Sequence, residues 1–176
     1  MTAASPTRPT VPVSVADFDA LDGSAAAEIV AVWAAIPGWV DAVVSGRPYG
    51  TRAALAERAD ALARGWSAAD LDTALAHHPR IGERPRGPGA EADASRSEQA
   101  SMASAEATTA AAIAAGNAAY EERFGRVFLI RAAGRSPEQM RAELDRRRAN
   151  DDESETAEAL DQLRQIALLR LEGAIS

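Results

Sequence analysis

The sequence predicts an all-α fold, one compact domain of about seven or eight helices. Three observations carry that reading. Apolar residues recur at helical spacing almost throughout, and alanine, the best helix former, dominates the composition. Helix-start signals recur along the chain, each followed by a periodic stretch. Only Val127-Phe128-Leu129-Ile130 resembles a strand, and no partner strand is in view.

In order, Ser24 can cap a helix over Ala25–Ala35 with Ile29, Val32 and Trp33 on one side. Pro37 suits the first turn of a second helix running to Ser45, because its missing N–H has no helical partner there anyway. Thr51 begins a third, carrying Leu55, Ala59 and Leu62 and stopping near Gly65. Ser67 with Asp70 forms a capping box for Ala68–His77, in which Leu71 and Leu75 share a face. From Gly82 to Ala94 glycine, proline and charge replace the helical pattern, predicting a long loop. Ser95 or Ser97 then opens a short helix through Met102, and Ser104 caps a long one that reaches Phe124 and stops at Gly125. Ser136-Pro137-Glu138-Gln139 combines an N-cap, a first-turn proline and a capping-box glutamine for a helix to Arg148. After Asn150-Asp151-Asp152 a last helix carries Leu160, Leu163, Ile166, Ala167 and Arg170. The chain shows no internal repeat.

Composition narrows the possible chemistry. A length of 176 residues with 47% hydrophobic content suffices for one domain with a real core, here residues 15–176. Residues 1–14, rich in threonine and proline, read as a flexible arm without the apolar run of a signal peptide. No apolar stretch approaches the roughly 20 residues of a membrane span. A net charge of -7 argues against nucleic acid as a partner. A cytoplasmic protein is the expectation. Cysteine is absent, which removes disulfides, thiolate nucleophiles and cysteine-ligated metals. Lysine is absent too, all 19 basic residues being arginine, which removes Schiff-base chemistry. What remains is acid–base work by His, Asp, Glu, Ser, Tyr, Arg and backbone amides.

The only histidines are His77 and His78, followed by Pro79, Arg80, Ile81 and Gly82. Histidine exchanges protons near neutral pH, and Pro79 ends the helix at this corner. Adjacent helical residues point about 100° apart, so the pair cannot grip a metal together, and no metal site is expected. From the residues alone, either histidine serves in proton transfer or both simply complement a helix C-terminus. Ser95-Arg96-Ser97-Glu98-Gln99 is either a polar site or an ordinary helix start. Asn117, inside the long helix, either makes a specific hydrogen bond or faces water. Arg170, flanked by Leu168, Leu169 and Leu171, either binds a carboxylate bidentately or snorkels to the surface. Arg146-Arg147-Arg148 and Asp151–Glu155 read as solvated charges at helix ends.

Taken together and in order, these segments resemble one family. Trp39 follows Pro37-Gly38; then come Arg47-Pro48-Tyr49, His78-Pro79-Arg80-Ile81-Gly82, Ser95 with Glu98-Gln99, and Asn117-Ala118-Ala119-Tyr120. Phe124-Gly125, Phe128-Leu129-Ile130, Gly134-Arg135-Ser136, Asn150-Asp151 and Leu169-Arg170-Leu171 complete the set. From Val15 to Leu171 the chain resembles the 2-oxo-4-hydroxy-4-carboxy-5-ureidoimidazoline (OHCU) decarboxylases of urate breakdown. Two positions depart from that pattern: Arg126-Val127 stands for an aromatic–proline pair, and Arg131 for a small or apolar residue.

The resemblance implies an all-helical homodimer that needs no cofactor or metal, acts on a small molecule and yields (S)-allantoin. It gives the catalytic histidine as His78, the one before Pro79, and the active-site glutamate as Glu98. Pro79, Ser95, Arg96, Ser97, Glu98 and Gln99 would line the substrate. Phe128, Leu129, Ile130, Arg131 and Ala132 would contact it through the backbone, and Arg170 would bind it by its side chain. Two other classes stand beside this one. A helical interaction module would leave OHCU decay unchanged and tolerate loss of His78 and Glu98. A lyase or hydrolase for another ureido compound would keep the site but prefer another substrate.

Overall fold

The computed structural model describes residues 12–76, 78–83 and 89–176. Nine α-helices are found among them: α1 (Val15–Ala20), α2 (Gly23–Trp33), α3 (Pro37–Ser45), α4 (Arg52–Ala63), α5 (Ala68–Leu75), α6 (Ala90–Glu98), α7 (Ala107–Phe124), α8 (Pro137–Arg147) and α9 (Asp152–Ala174). A short 3-10 turn, Ala100–Ser104, joins α6 to α7. The fold is all-α, and its one β-contact among the described residues is a parallel bridge between Val13 and Ile175.

Local signals explain most helix starts. Thr51 Oγ1 accepts the Ala54 amide at 3.1 Å, and Asp151 accepts the Ser154 amide at 2.7 Å. Both expected capping boxes are formed, Ser67 with Asp70 and Ser136 with Gln139. Gly125, at φ 68°, ends α7 in the left-handed conformation that glycine adopts without a Cβ penalty.

Other expectations are corrected. Asp22, not Ser24, caps α2, by accepting the Ala25 amide at 2.9 Å. The six-residue α1, capped by Ser14, is too short to show helical periodicity. The expected loop to Ala94 is shorter, because α6 already begins at Ala90. Glu91 and Asp93 in its first turn complement the helix dipole, and alanines alternate with them. Ser95 and Ser97 therefore lie inside that helix and do not open one. Nor does Ser104 cap α7, which starts at Ala107 with Glu106 before it and no side-chain cap. The arm expected over 1–14 lies outside the described residues as far as 11. Residues 13 and 14 are held: the Val13 amide donates to Ala174 O at 2.8 Å, and Ser176 N donates back at 2.9 Å.

Among the described residues two apolar cores divide the interior. The larger gathers Phe18, Val30, Trp33, Trp39, Leu55, Leu71, Leu163 and Ile166, uniting α1 to α5 with α9. The smaller holds Ile81, Ile113, Tyr120, Phe128, Ile130, Met140 and Leu144, and seats α7 against α8. A Cβ added to Gly116 would lie 2.7 Å from Leu144 Cδ2, so glycine is what lets these two helices approach. The strand-like run 127–130 is extended but unpaired, and its side chains alternate between the cores. Phe128 and Ile130 enter the smaller core and Leu129 the larger. That is the period-2 alternation of an extended chain sandwiched between helical layers.

Arg47-Pro48-Tyr49 proves structural. The Arg47 guanidinium donates to Phe18 O at 2.9 Å and Leu21 O at 2.7 Å, tying the end of α1 to the end of α3. Asp19 accepts the amides of Tyr49 and Gly50.

Candidate active site

The corner after α5 begins where the helix ends. Ala76 caps α5, the His78 amide donates to Leu75 O at 3.1 Å, and Pro79 prevents a further turn. His77 lies outside the described residues. The chain then reverses through Arg80–Glu83, where the Glu83 amide donates to Arg80 O at 3.1 Å and Gly82 sits at φ 86°. Ile81 is buried in the smaller core, which anchors the turn.

The helix α6 supplies the second part. Ser95, Glu98 and Gln99 are spaced i, i+3, i+4, so they share a face, and that face is turned inward. Ser95 is fully buried and Gln99 nearly so, whereas Arg96 and Ser97 are exposed on the opposite side. Arg96 forms an ion pair with Asp93. Of the expected lining residues on this helix, the structure therefore gathers three and leaves two side chains facing solvent.

Arg170 on α9 completes the cluster. Its Nε donates to Glu98 Oε1 at 2.7 Å and its Nη2 to Glu98 Oε2 at 3.0 Å, a bidentate fork. Nη1 donates to Val32 O at 2.9 Å, and Nη2 also reaches Ser95 Oγ at 3.3 Å. The side chains of Arg170 and Glu98 are 7% and 13% exposed, so the arginine is a buried partner and does not snorkel.

His78 stands beside this pair. Burial lowers its pKa below the ordinary value, and the Arg170 charge pushes in the same direction. A contact with Pro79 O and the Glu98 charge oppose them. The ring is therefore neutral at pH 7. Nδ1 lies 3.2 Å from Pro79 O; a proton there donates to the carbonyl and leaves Nε2 as the lone-pair nitrogen. Nε2 is shielded from solvent and has no hydrogen-bond partner among the described residues. A neutral imidazole with a free buried acceptor, next to a fixed carboxylate and a guanidinium, can take a proton and return it.

The extended segment expected to offer backbone to the substrate is itself held by side chains. Phe128, Leu129, Ile130 and Ala132 are buried and Arg131 is half-buried. Arg147 Nη1 donates to Leu129 O at 2.7 Å, and the Arg131 amide donates to Gln162 Oε1 at 2.9 Å. Gln162 and Arg170 lie two turns apart on α9, about 12 Å along its axis, so one helix fixes both the segment and the fork.

Two features were not legible in the sequence. Arg147 and Glu155, expected to be solvated, are each 1% exposed and paired with one another. Tyr120 Oη donates to Glu155 Oε1 at 2.5 Å, and Asn150 Nδ2 donates to Glu155 Oε2 at 2.9 Å. Charge runs at helix ends carry no mark of which member turns inward; the signal was the apolar spacing Met140, Leu144, Arg147. Gln162, four residues before Ile166 and eight before Arg170, could have been found as the polar member of a buried stripe. Asn117 resolves to a specific bond, its Nδ2 donating to Ile81 O at 2.9 Å. Of the two departures, Arg126 bridges α5 and α9 through Asp72 and Thr156 Oγ1, and Arg131 keeps its Nε buried without a partner among the described residues.

A concavity of about 450 Å³ opens elsewhere, lined by Asp72, Leu75, Glu121, Phe124, Arg126 and Val127. It holds none of the histidine–glutamate–arginine group, and chemistry rather than size marks the site. Among the described residues no group of His, Asp and Glu is arranged to hold a metal.

An all-helical domain that closes a neutral histidine, a carboxylate and a guanidinium into one buried cluster has the outline of an acid–base enzyme. The family model for OHCU decarboxylase matches residues 19–172, so the chain belongs to the OHCU decarboxylase family and is a carboxy-lyase. Among solved structures it is similar to an OHCU decarboxylase crystallised in the presence of (S)-allantoin. The identity is 25% over 80% of this chain and 92% of that one, with a TM-score of 0.69. An (S)-allantoin synthase shares the fold, at 19% identity over 93% of this chain and 54% of that one, with a TM-score of 0.68. No protein of curated function matches the sequence significantly.

Proposed function

We propose that the chain decarboxylates OHCU to (S)-allantoin in urate breakdown, with His78 moving the proton and Glu98 and Arg170 arranging the substrate. The observation that carries this reading is the shielded, unpartnered Nε2 of a neutral His78 beside the Glu98–Arg170 fork.

The substrate supplies its own electron sink, because its carboxylate sits on a hydroxyl-bearing carbon next to an imine carbon. When the bond to the carboxyl carbon breaks, carbon dioxide leaves and the electron pair forms a double bond to the ureido-bearing carbon. The imine pair moves onto nitrogen, which takes up a proton from water, the one proton the overall reaction consumes. His78 Nε2 accepts the hydroxyl proton as the ring ketone forms, and the resulting imidazolium delivers it to the ureido-bearing carbon. Delivery from one fixed face sets the S configuration. General acid–base help of this kind contributes roughly 10²–10⁴-fold.

Glu98 is oriented by the Arg170 fork, and its remaining lone pairs can accept ureido or ring N–H groups. Four of the five Arg170 N–H groups already have partners in this state, counting both bonds from Nη2. Arg170 thus reaches substrate oxygens by its last N–H or by exchange with Ser95 and Val32. Pro79, Ser95, Gln99 and the backbone of 128–132 complete the lining, with Arg96 and Ser97 contributing at most main chain.

The catalytic unit runs over residues 15–176 and acts as a homodimer in the cytoplasm; no described helix is long and apolar enough to cross a membrane. The test of function generates OHCU in situ from urate with the two upstream enzymes. Circular dichroism then follows the optical activity of the product. The reading requires (S)-allantoin to appear faster than by spontaneous decay; decay at the spontaneous rate, with racemic product, would refute it.

A further inference from the structure

One peptide unit in the corner is gripped from both sides. The Ile81 carbonyl accepts from Asn117 Nδ2 of α7 at 2.9 Å, and the N–H of the same peptide, on Gly82, donates to Gln99 Oε1 at 3.0 Å. The two side chains arrive from different elements. Asn117 is 4% exposed and Gln99 9%, so both bonds form where water does not compete. Gln99 directly follows Glu98, so this bond connects the histidine turn to the carboxylate's own helix end. One turn beyond Asn117, Glu121 grips Arg80 bidentately, at 2.5 and 2.7 Å. Asn at this helical position costs propensity, and its Oδ1 is buried with no partner among the described residues. An unmade buried acceptor costs stability. Leucine would fill the smaller core but leave the Ile81 carbonyl without its donor, so the amide serves the peptide it holds.

We propose that Asn117 is a positioning residue for His78, clasping the Ile81–Gly82 peptide against Gln99 so that the imidazole stays in register with the Glu98–Arg170 fork. The proposal rests on the acid–base reading of the site. His78 is three residues before the clasped peptide, and Pro79 between them removes one backbone freedom, so displacement of the peptide is passed to the ring. Among the described residues the groups that act on the ring are Glu98, Arg170 and the Pro79 carbonyl, and the clasp joins the burial of Ile81 in holding the turn against the first two.

The experiment compares the wild type with Asn117→Ala and with Asn117→Asp, which keeps the size of the side chain and removes its donor. Two readouts are taken, OHCU kinetics and the titration of the His78 ring by NMR, with His77→Gln present throughout so that one histidine remains. Both variants should lose about tenfold or more in kcat, with KM changed less than kcat, as for a misplaced catalytic group. In both, the His78 titration should move up toward the ordinary value of about 6.5 as the ring leaves its buried place. A variant that is only less heat-stable, with kcat and the His78 titration as in the wild type, would overturn the proposal. So would a fall in kcat with an unmoved titration. Asn117→Asp decides if the alanine variant does not fold. A wild type inactive on OHCU would refute the functional reading, while the NMR comparison would still decide the role of Asn117.

Discussion

At the scale of single residues, the proposed mechanism puts the proton transfer on His78. His78→Ala should reduce kcat on OHCU by roughly 10²–10⁴-fold. Its far-ultraviolet circular dichroism should stay as in the wild type, because the ring bonds only its neighbour's carbonyl. The pH dependence has a definite sign. A base with a lowered pKa is active above that pKa, so kcat/KM should be flat near pH 7. It should fall tenfold per unit only below a midpoint under 6.5. The same shift couples to stability. The unfolded chain protonates His78 at about 6.5 and the folded chain only at lower pH, so stability falls as pH drops through this window. Asp161, held low by the Arg164 hydrogen bond, and Asp70, held low by the Ser67 amide and hydroxyl, add a further loss at more acid pH. Urea midpoints measured from pH 7 to pH 2 should decline first through the His78 window and again below the ordinary aspartate value of 3.8. The fork behaves differently: Arg170→Met leaves Glu98 uncompensated in a largely dry site. Chemical denaturation should show a loss of about 3 kcal/mol, near the range for breaking a buried pair.

At the scale of elements, the sequence made visible whatever local chemistry decides. The capping boxes at Ser67 and Ser136, the proline of α3 and the glycine after Phe124 mark their helices in the structure as the sequence predicts. Where nonlocal packing decides, reading fails. The start of α6 at Ala90 was hidden by the glycines and prolines before it, and the six residues of α1 are too few to show a period. Arg147 carries only the spacing Met140, Leu144, Arg147 as a sign of burial and Glu155 carries none, because the approach of α8, α9 and the 127–132 segment buries them. That pair supports Leu129, so it lies between the helical scaffold and the candidate substrate backbone. Arg147→Met should cost about 3–5 kcal/mol of stability by chemical denaturation, since it strands Glu155 without its cation. The companion change Glu155→Leu should recover part of that loss. In the site itself the inward and outward faces of α6 were not predicted. Ser95, Glu98 and Gln99 point in and Arg96 and Ser97 out, an outcome fixed by where the helix starts.

For the whole molecule, the two cores explain how a chain without lysine, cysteine or a metal-binding cluster among its described residues brings a histidine, a carboxylate and a guanidinium together. The larger core positions α9, and with it Arg170; the smaller core positions the histidine turn through Ile81. The candidate site lies where α6 joins them, so its geometry depends on both cores at once. If the unit is the proposed homodimer, sedimentation should report twice the 18.4 kDa chain mass. The central claim is that His78 directs the proton that turns OHCU into one enantiomer of allantoin. Its most direct test follows the circular dichroism of allantoin formed from freshly generated OHCU with the wild type and with folded His78→Ala in parallel. The wild type should give a rapid signal of the S enantiomer, and the variant product at the spontaneous rate, without net optical activity. Rapid S product from the variant would contradict that claim.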